Sequence, residues 1–222
     1  MQKKLINIFF LLIMSLTVLS GVNYTKDQPI LEPRPIPDIQ IDGELKESIS
    51  TEPLKLKKGN NSATIYIGYD SNGLYFYADV DCPTPKMNNK KEGDLNKVDC
   101  IEIFLSSDPN ADFKRTKYGV KDFHLGIKAS KENETWNWQY KAPLVNPELY
   151  YKEKDHGYIM ECKIPWSNFD IGCLCKVNGR VLSFDIALDI GTTGLFGNRT
   201  QIRWCGDKSI DNNPSQWGKA VF

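Results

Sequence analysis

The chain has 222 residues, with 28 Lys and Arg against 28 Asp and Glu and with 41% hydrophobic residues. Charge balance without a basic stripe excludes the electrostatic footprint of a nucleic-acid binder, and no nucleic-acid partner is expected. About 200 residues follow an amino-terminal leader, enough for one domain that buries its own core.

Residues 1–22, MQKKLINIFFLLIMSLTVLSGV, open with Lys3 and Lys4, run through a short apolar stretch and reach small residues at Ser20 and Gly21. This is the pattern of a cleaved secretory signal peptide, so the protein is expected to be secreted or periplasmic. The apolar run is shorter than the roughly 20 residues a bilayer span needs, so no membrane span is expected after cleavage. Residues 23–37, NYTKDQPILEPRPIP, are proline-rich without period and read as an extended lead-in, with the domain proper at 38–222.

Within the domain, ATIYIGYDSNGLYFYADVD holds two alternating runs joined by Asp70-Ser71-Asn72-Gly73, a hairpin in which Asn-Gly would supply positive φ angles. Further runs at VDCIEIFLS, DFHLGIKA, TWNWQY, GYIMECKIP, VLSFDIALDI, TQIRW and GKAVF read as strands. Only IPWSNFD suggests a helical turn, started by Pro165 and stopped by Gly172. Many short alternating strands without a long amphipathic helix predict an all-β, antiparallel β-sandwich of immunoglobulin or jelly-roll type in a single domain, with a barrel as the competitor. Six cysteines permit up to three disulfides, and Cys173 and Cys175 stand too close for an easy mutual bridge; pairing with distant cysteines or free buried thiols is expected.

In NKVDCIEIFLSS, Ile101, Ile103 and Leu105 share one strand face, while Cys100, Glu102 and Phe104 share the other. Glu102 therefore faces away from the isoleucines, toward solvent or the floor of a binding groove.

The segments IDGELKES, YIGYDSNGLYFYADVD, DLNKVDCIEIFLSSDPN, GYIMECKIPWSNF, VLSFDIALDI and SQWGKAVF, in this order, resemble the family 9 carbohydrate-binding modules. The resemblance implies a β-sandwich with a shallow sugar site on one sheet, glycan binding without chemistry, and structural calcium. Glu102 matches the family's sugar-contacting glutamate, and His124 stands where members have an arginine. At the two positions of the family's clamping tryptophans this chain has Asn96 and Asp211. Trp136, Trp138 and Tyr140 would share one strand face, as either a stacking platform or core filling. Trp204 is placed near the rim, whereas Trp166 and Trp217 match packing positions.

Sugars offer an apolar ring face and a polar rim, so aromatic planes beside carboxylates, amides or cations suit them. Carbohydrate binding by Glu102, His124, Asn96, Trp136, Trp138, Trp204 and Asp211 is thus the leading expectation, in a monomer. The alternative is a structural or protein-interaction domain that kept the fold and lost the sugar. No HExxH, GxSxG, P-loop or GxGxxG motif is present, so an enzyme is not expected; a carboxylate-pair glycoside hydrolase is the remaining enzymatic reading. Acidic loops such as SSDPNAD and DNN could hold calcium, and Met160 with His124 could ligate haem.

Overall fold

The computed structural model describes residues 29–37, 39–45, 52–83, 90–132, 134–173, 177–191 and 199–222. The signal-peptide reading and the first part of the lead-in lie outside these residues. No helix among the described residues is long and apolar enough to cross a membrane.

The strands are β1 (Ile30–Leu31), β2 (Arg34–Pro35), β3 (Leu54–Lys58), β4 (Asn61–Tyr69), β5 (Gly73–Asp81), β6 (Cys100–Ser106), β7 (Asp122–Lys128), β8 (Thr135–Asn137), β9 (Glu148–Lys154), β10 (Gly157–Pro165), β11 (Val181–Gly191), β12 (Arg199–Arg203) and β13 (Gly218–Val221). One sheet runs β1-β13-β11-β6-β7-β8, with β12 also paired to β11, and the other runs β2-β4-β5-β10-β9, with β3 paired to β4. The predicted sandwich is what forms. Strand period explains why: Ile101, Ile103 and Leu105 on β6, Phe123, Leu125 and Ile127 on β7, and Phe184, Ile186 and Leu188 on β11 all face inward. They meet Ile65, Ile67, Phe76, Val80, Tyr158, Met160 and Ile164 from the second sheet in one core. Withdrawing each such side chain from water contributes roughly 1.5–3 kcal/mol.

The end of the lead-in is part of the domain, which corrects its reading as unpacked. Ile30 and Leu31 pair parallel with Lys219 and Ala220 in one sheet, and Arg34 and Pro35 pair parallel with Gly68 and Tyr69 in the other. Pro35 is tolerated because an edge strand leaves its missing N–H without consequence.

The sequence motifs interlock in space. In the hairpin, Asp70 Oδ1 accepts from the Asn72 and Gly73 amides at 2.7 and 2.8 Å. Neither Asn72 nor Gly73 has positive φ, contrary to expectation. Glycine is needed at 73 for a different reason: a Cβ there would lie 2.5 Å from the Ile164 carbonyl oxygen. Trp166 closes the same corner, donating Nε1–H to the Asp70 carbonyl at 2.9 Å, while Lys163 pairs with Asp70 at 2.6 Å. The turn that Trp166 opens spans Trp166–Phe169 and ends on the left-handed Asp170, ahead of Gly172. The IDG segment crosses the outer face of the second sheet. There Glu161 accepts from the Gly43 amide at 2.6 Å and from the Tyr75 hydroxyl at 2.5 Å.

Cys100, Cys162 and Cys205 are free and buried, Cys82 is buried, and Cys173 is disulfide-bonded. Cys175 lies outside the described residues.

Candidate functional site

The outer face of the first sheet carries polar groups in rows across the strands. Ala187, Glu102, Gly126 and Trp136 form one row, and Asp185, Phe104 and His124 form the next. Ala187 and Gly126 flank Glu102 with little side-chain bulk, which leaves space above it for partners. A 3-10 turn at Glu92–Lys97, the segment 107–121 and the loop after β12 cover the rest of this face.

Glu102 is 0% exposed. It is paired with His124 Nε2, and its Oε1 accepts from Gln201 Nε2 at 2.7 Å and from Arg199 Nη1 at 3.1 Å. Asn96 Nδ2 approaches Oε2 at 3.4 Å. Arg199 and Gln201 also reach outward to Asp211, at 2.5 and 3.1 Å. The two residues thus connect a buried carboxylate to one at the surface.

Burial alone would push the Glu102 carboxyl up, but a hydrogen bond from Asp189 and the charges of His124 and Arg199 outweigh it and hold Glu102 below the usual carboxylate range. Asp189 moves the opposite way, pushed well up by burial and by the neighbouring Glu102 charge. Among the described residues its Oδ1 has no hydrogen-bond partner, as expected if Asp189 is the protonated member of the pair.

Above this layer, the Trp138 ring stacks on His124 at 4.2 Å, and His124 stacks on Phe104 at 4.3 Å. The Trp138 Nε1–H donates to the Gly93 carbonyl at 3.1 Å. Trp138 needs the glycine at 126, since a Cβ there would meet its Cη2 at 2.4 Å. Trp217 supports the layer from below, 5.7 Å from Phe104 and 5.4 Å from Tyr118, with its Nε1–H on the Ile210 carbonyl.

A recess of about 300 Å³ opens here, lined by Asn96, Tyr118, Asp122, His124, Trp138, Gln139 and Asp211. Asp122 is held by Arg115 in a two-point fork at 2.8 and 2.5 Å. The Tyr118 hydroxyl is buried and has no partner among the described residues. Burial pushes its pKa up, so it stays a neutral donor.

A model of the carbohydrate family 9 binding domain-like family matches residues 44–222. The chain belongs to this family. Two solved structures share the family 9 fold: a carbohydrate-binding module family 9 from Caldicellulosiruptor kristjanssonii in complex with cellotriose, and one from the same organism in complex with glucose. The first is 19% identical, with a TM-score of 0.66 over 87% of this chain and 93% of that one. The second is also 19% identical, with a TM-score of 0.63 over 87% and 95%. No curated protein matches the chain.

Of the family positions read from sequence, Glu102, His124, Asn96 and Asp211 come together at one place, and Trp138 joins them. Glu102 is 0% exposed beneath the recess, and its carboxylate holds His124, Arg199 and Gln201 in position. Trp136, Trp138 and Tyr140 do not form one strand stripe, because β8 ends at Asn137 and the chain turns. Neither Trp136 nor Trp138 fills the core; both are half-buried. Trp204 is also corrected, since it packs against the inner core beside Phe184 and is not among the residues that line the recess. Sequence patterning does not single out Tyr118, Asp122, Gln139, Arg199 or Gln201 as site residues. For two of them a signal exists: in RTQIR the polar side chains alternate with Thr200 and Ile202, the mark of an outward-facing row.

Glu102, His124 and Asp211 offer ligand atoms within 4.8 Å of one another, the only such group of three among the described residues. A dication does not fit there, because Arg199 and Gln201 already occupy both carboxylates. In the SSDPNAD loop, Asp108 and Asp112 each accept through Oδ1 from the Asn110 and Lys114 amides within their own turns. The haem reading fails on geometry: Met160 lies in the core between the sheets, while His124 faces out of the far side.

Proposed function

We propose that this chain binds a glycan, without chemical change, in the recess between Trp138, Tyr118 and Asp211. The observation that carries this reading is the juxtaposition of a held indole plane with a buried hydroxyl that lacks a protein partner. A pyranose ring can lie against the Trp138 plane while its hydroxyls meet Asn96, Gln139, Tyr118 and the carboxylates. Charged acceptors strengthen such bonds, and Arg115 and Arg199 fix Asp122 and Asp211 in place beforehand. Cellotriose and glucose in the two related modules support the substrate class. Family membership supports a non-catalytic role, and so does the site: its protonated carboxyl, Asp189, is 0% exposed and cannot reach a glycosidic oxygen. The basic and then apolar pattern of residues 1–22 supports export to the cell exterior or periplasm.

Calorimetry against cello- and xylo-oligosaccharides tests the reading. Millimolar or tighter binding that Trp138→Ala removes is the expected result. Binding that survives Trp138→Ala unchanged, or no heat with any oligosaccharide, overturns it.

A further inference from the structure

We propose a second glycan subsite, in the groove at the open edge of β8, that extends the first and lets the domain hold a polysaccharide along its length. This rests on the glycan-binding reading of the recess. The groove has a volume of about 720 Å³, inside the range of small-molecule sites and larger than the recess itself. Its wall combines the half-buried Trp136 with Pro143 and Leu144, and its rim carries Lys91, Glu92 and Lys141. An aromatic plane with cationic and anionic groups around it matches the amphiphilic surface of a sugar ring better than it matches a purely apolar ligand.

Continuity with the recess decides the occupant. Trp136 and Trp138 are two residues apart, and both indole nitrogens lie 3.8 Å from the position a Cβ would take on Gly93. Gly93 therefore sits between the two tryptophans, and the Trp138 Nε1–H is bonded to its carbonyl. A side chain at 93 would stand between the two indoles; glycine keeps the passage low. The groove is also held open at a backbone cost. Glu92 and Lys141, which line it, and Asn146, just before the lining Pro147, have φ of 52°, 52° and 50°. They are three of the four non-glycine residues with positive φ among the described residues, and such strain gathers at ligand sites.

The test is calorimetry of wild type, Trp136→Ala and Trp138→Ala against cello- and xylo-oligosaccharides of two and six units. Trp136→Ala is expected to leave disaccharide affinity unchanged and lower hexasaccharide affinity by roughly two- to tenfold, the contribution of one aromatic contact. Trp136→Tyr, which keeps a ring, is expected to recover most of the loss, and matching melting temperatures show that folding is intact. Equal hexasaccharide affinity in wild type and Trp136→Ala overturns the second subsite while leaving the recess. Parallel loss for both ligand lengths also overturns it, because Trp136 would then serve the recess or the fold. Absence of glycan binding by wild type sinks both readings together.

Discussion

Replacing Glu102 by alanine probes the layer on which the site rests. The substitution removes the acceptor shared by Gln201, Arg199 and Asn96 and the partner of His124, all at a position with no solvent access. Breaking a buried, hydrogen-bonded ion pair on one side costs about 3–5 kcal/mol, because the remaining charges lose their compensation. That is a large part of the 5–15 kcal/mol typical of a domain. For a chain of this size each kcal/mol moves the melting temperature by about 2–4 °C, so a fall of roughly 6–20 °C is expected at pH 7. Glu102→Gln, which keeps the shape and one acceptor but loses the charge, should fall in between. The pH dependence has a definite sign. The native carboxyl is held below its unfolded range, so its stabilisation is present above pH about 4.3 and is lost as pH falls through the lower native value. The gap between wild type and Glu102→Ala should therefore shrink in acid. Thermal and urea unfolding at pH 7 and pH 3 measure this. A Glu102→Ala melting temperature within about 2 °C of wild type at pH 7 would refute the claim that Glu102 organises the site.

Tyr118→Phe should leave stability within about 0.5 kcal/mol of wild type, because the hydroxyl has no partner among the described residues to lose, yet weaken glycan affinity by roughly two- to tenfold; calorimetry beside urea unfolding separates the two effects, and a clear loss of stability would count against the unpaired hydroxyl. Gly126→Ala should push the indole of Trp138 off His124 and reduce affinity to the level of Trp138→Ala, with a change in tryptophan near-ultraviolet circular dichroism; an unchanged spectrum would show that the ring has another place to rest. Asp185, buried among the Ile186, Cys205 and Gly218 amides, has its carboxyl pushed up to about 7 by burial. Its native state holds the proton more tightly than the unfolded one, so its contribution falls between pH about 4 and 7, by on the order of 4 kcal/mol, and is flat above. Asp185→Asn should remove that fall, so that the variant gains on wild type between urea titrations at pH 5 and pH 8; parallel curves would contradict it.

The alternation of β6 is legible in the residues themselves: isoleucines on one side and Glu102 on the other follow from a period of two, and the core obeys it. The ordered motifs carry the architecture as well, since each fills a local role that its own residues specify, such as Asp70 capping its turn. What Glu102 does is not legible there. Its partners Arg199 and Gln201 stand 97 and 99 residues away in sequence, and no local pattern encodes which loop closes over which face. The tryptophans divide along the same line. Trp166 and Trp217 pack as their motifs imply, but Trp138 leaves the strand because the chain turns after Asn137, where Oδ1 accepts from the Gln139 and Tyr140 amides. Trp204 turns inward because the sheet places β12 beside β11 and the core takes the ring. Sequence periodicity assigns a side chain to a face; burial depth and the convergence of distant loops depend on the packed sheets, because only there do remote charges come close enough to compensate one another.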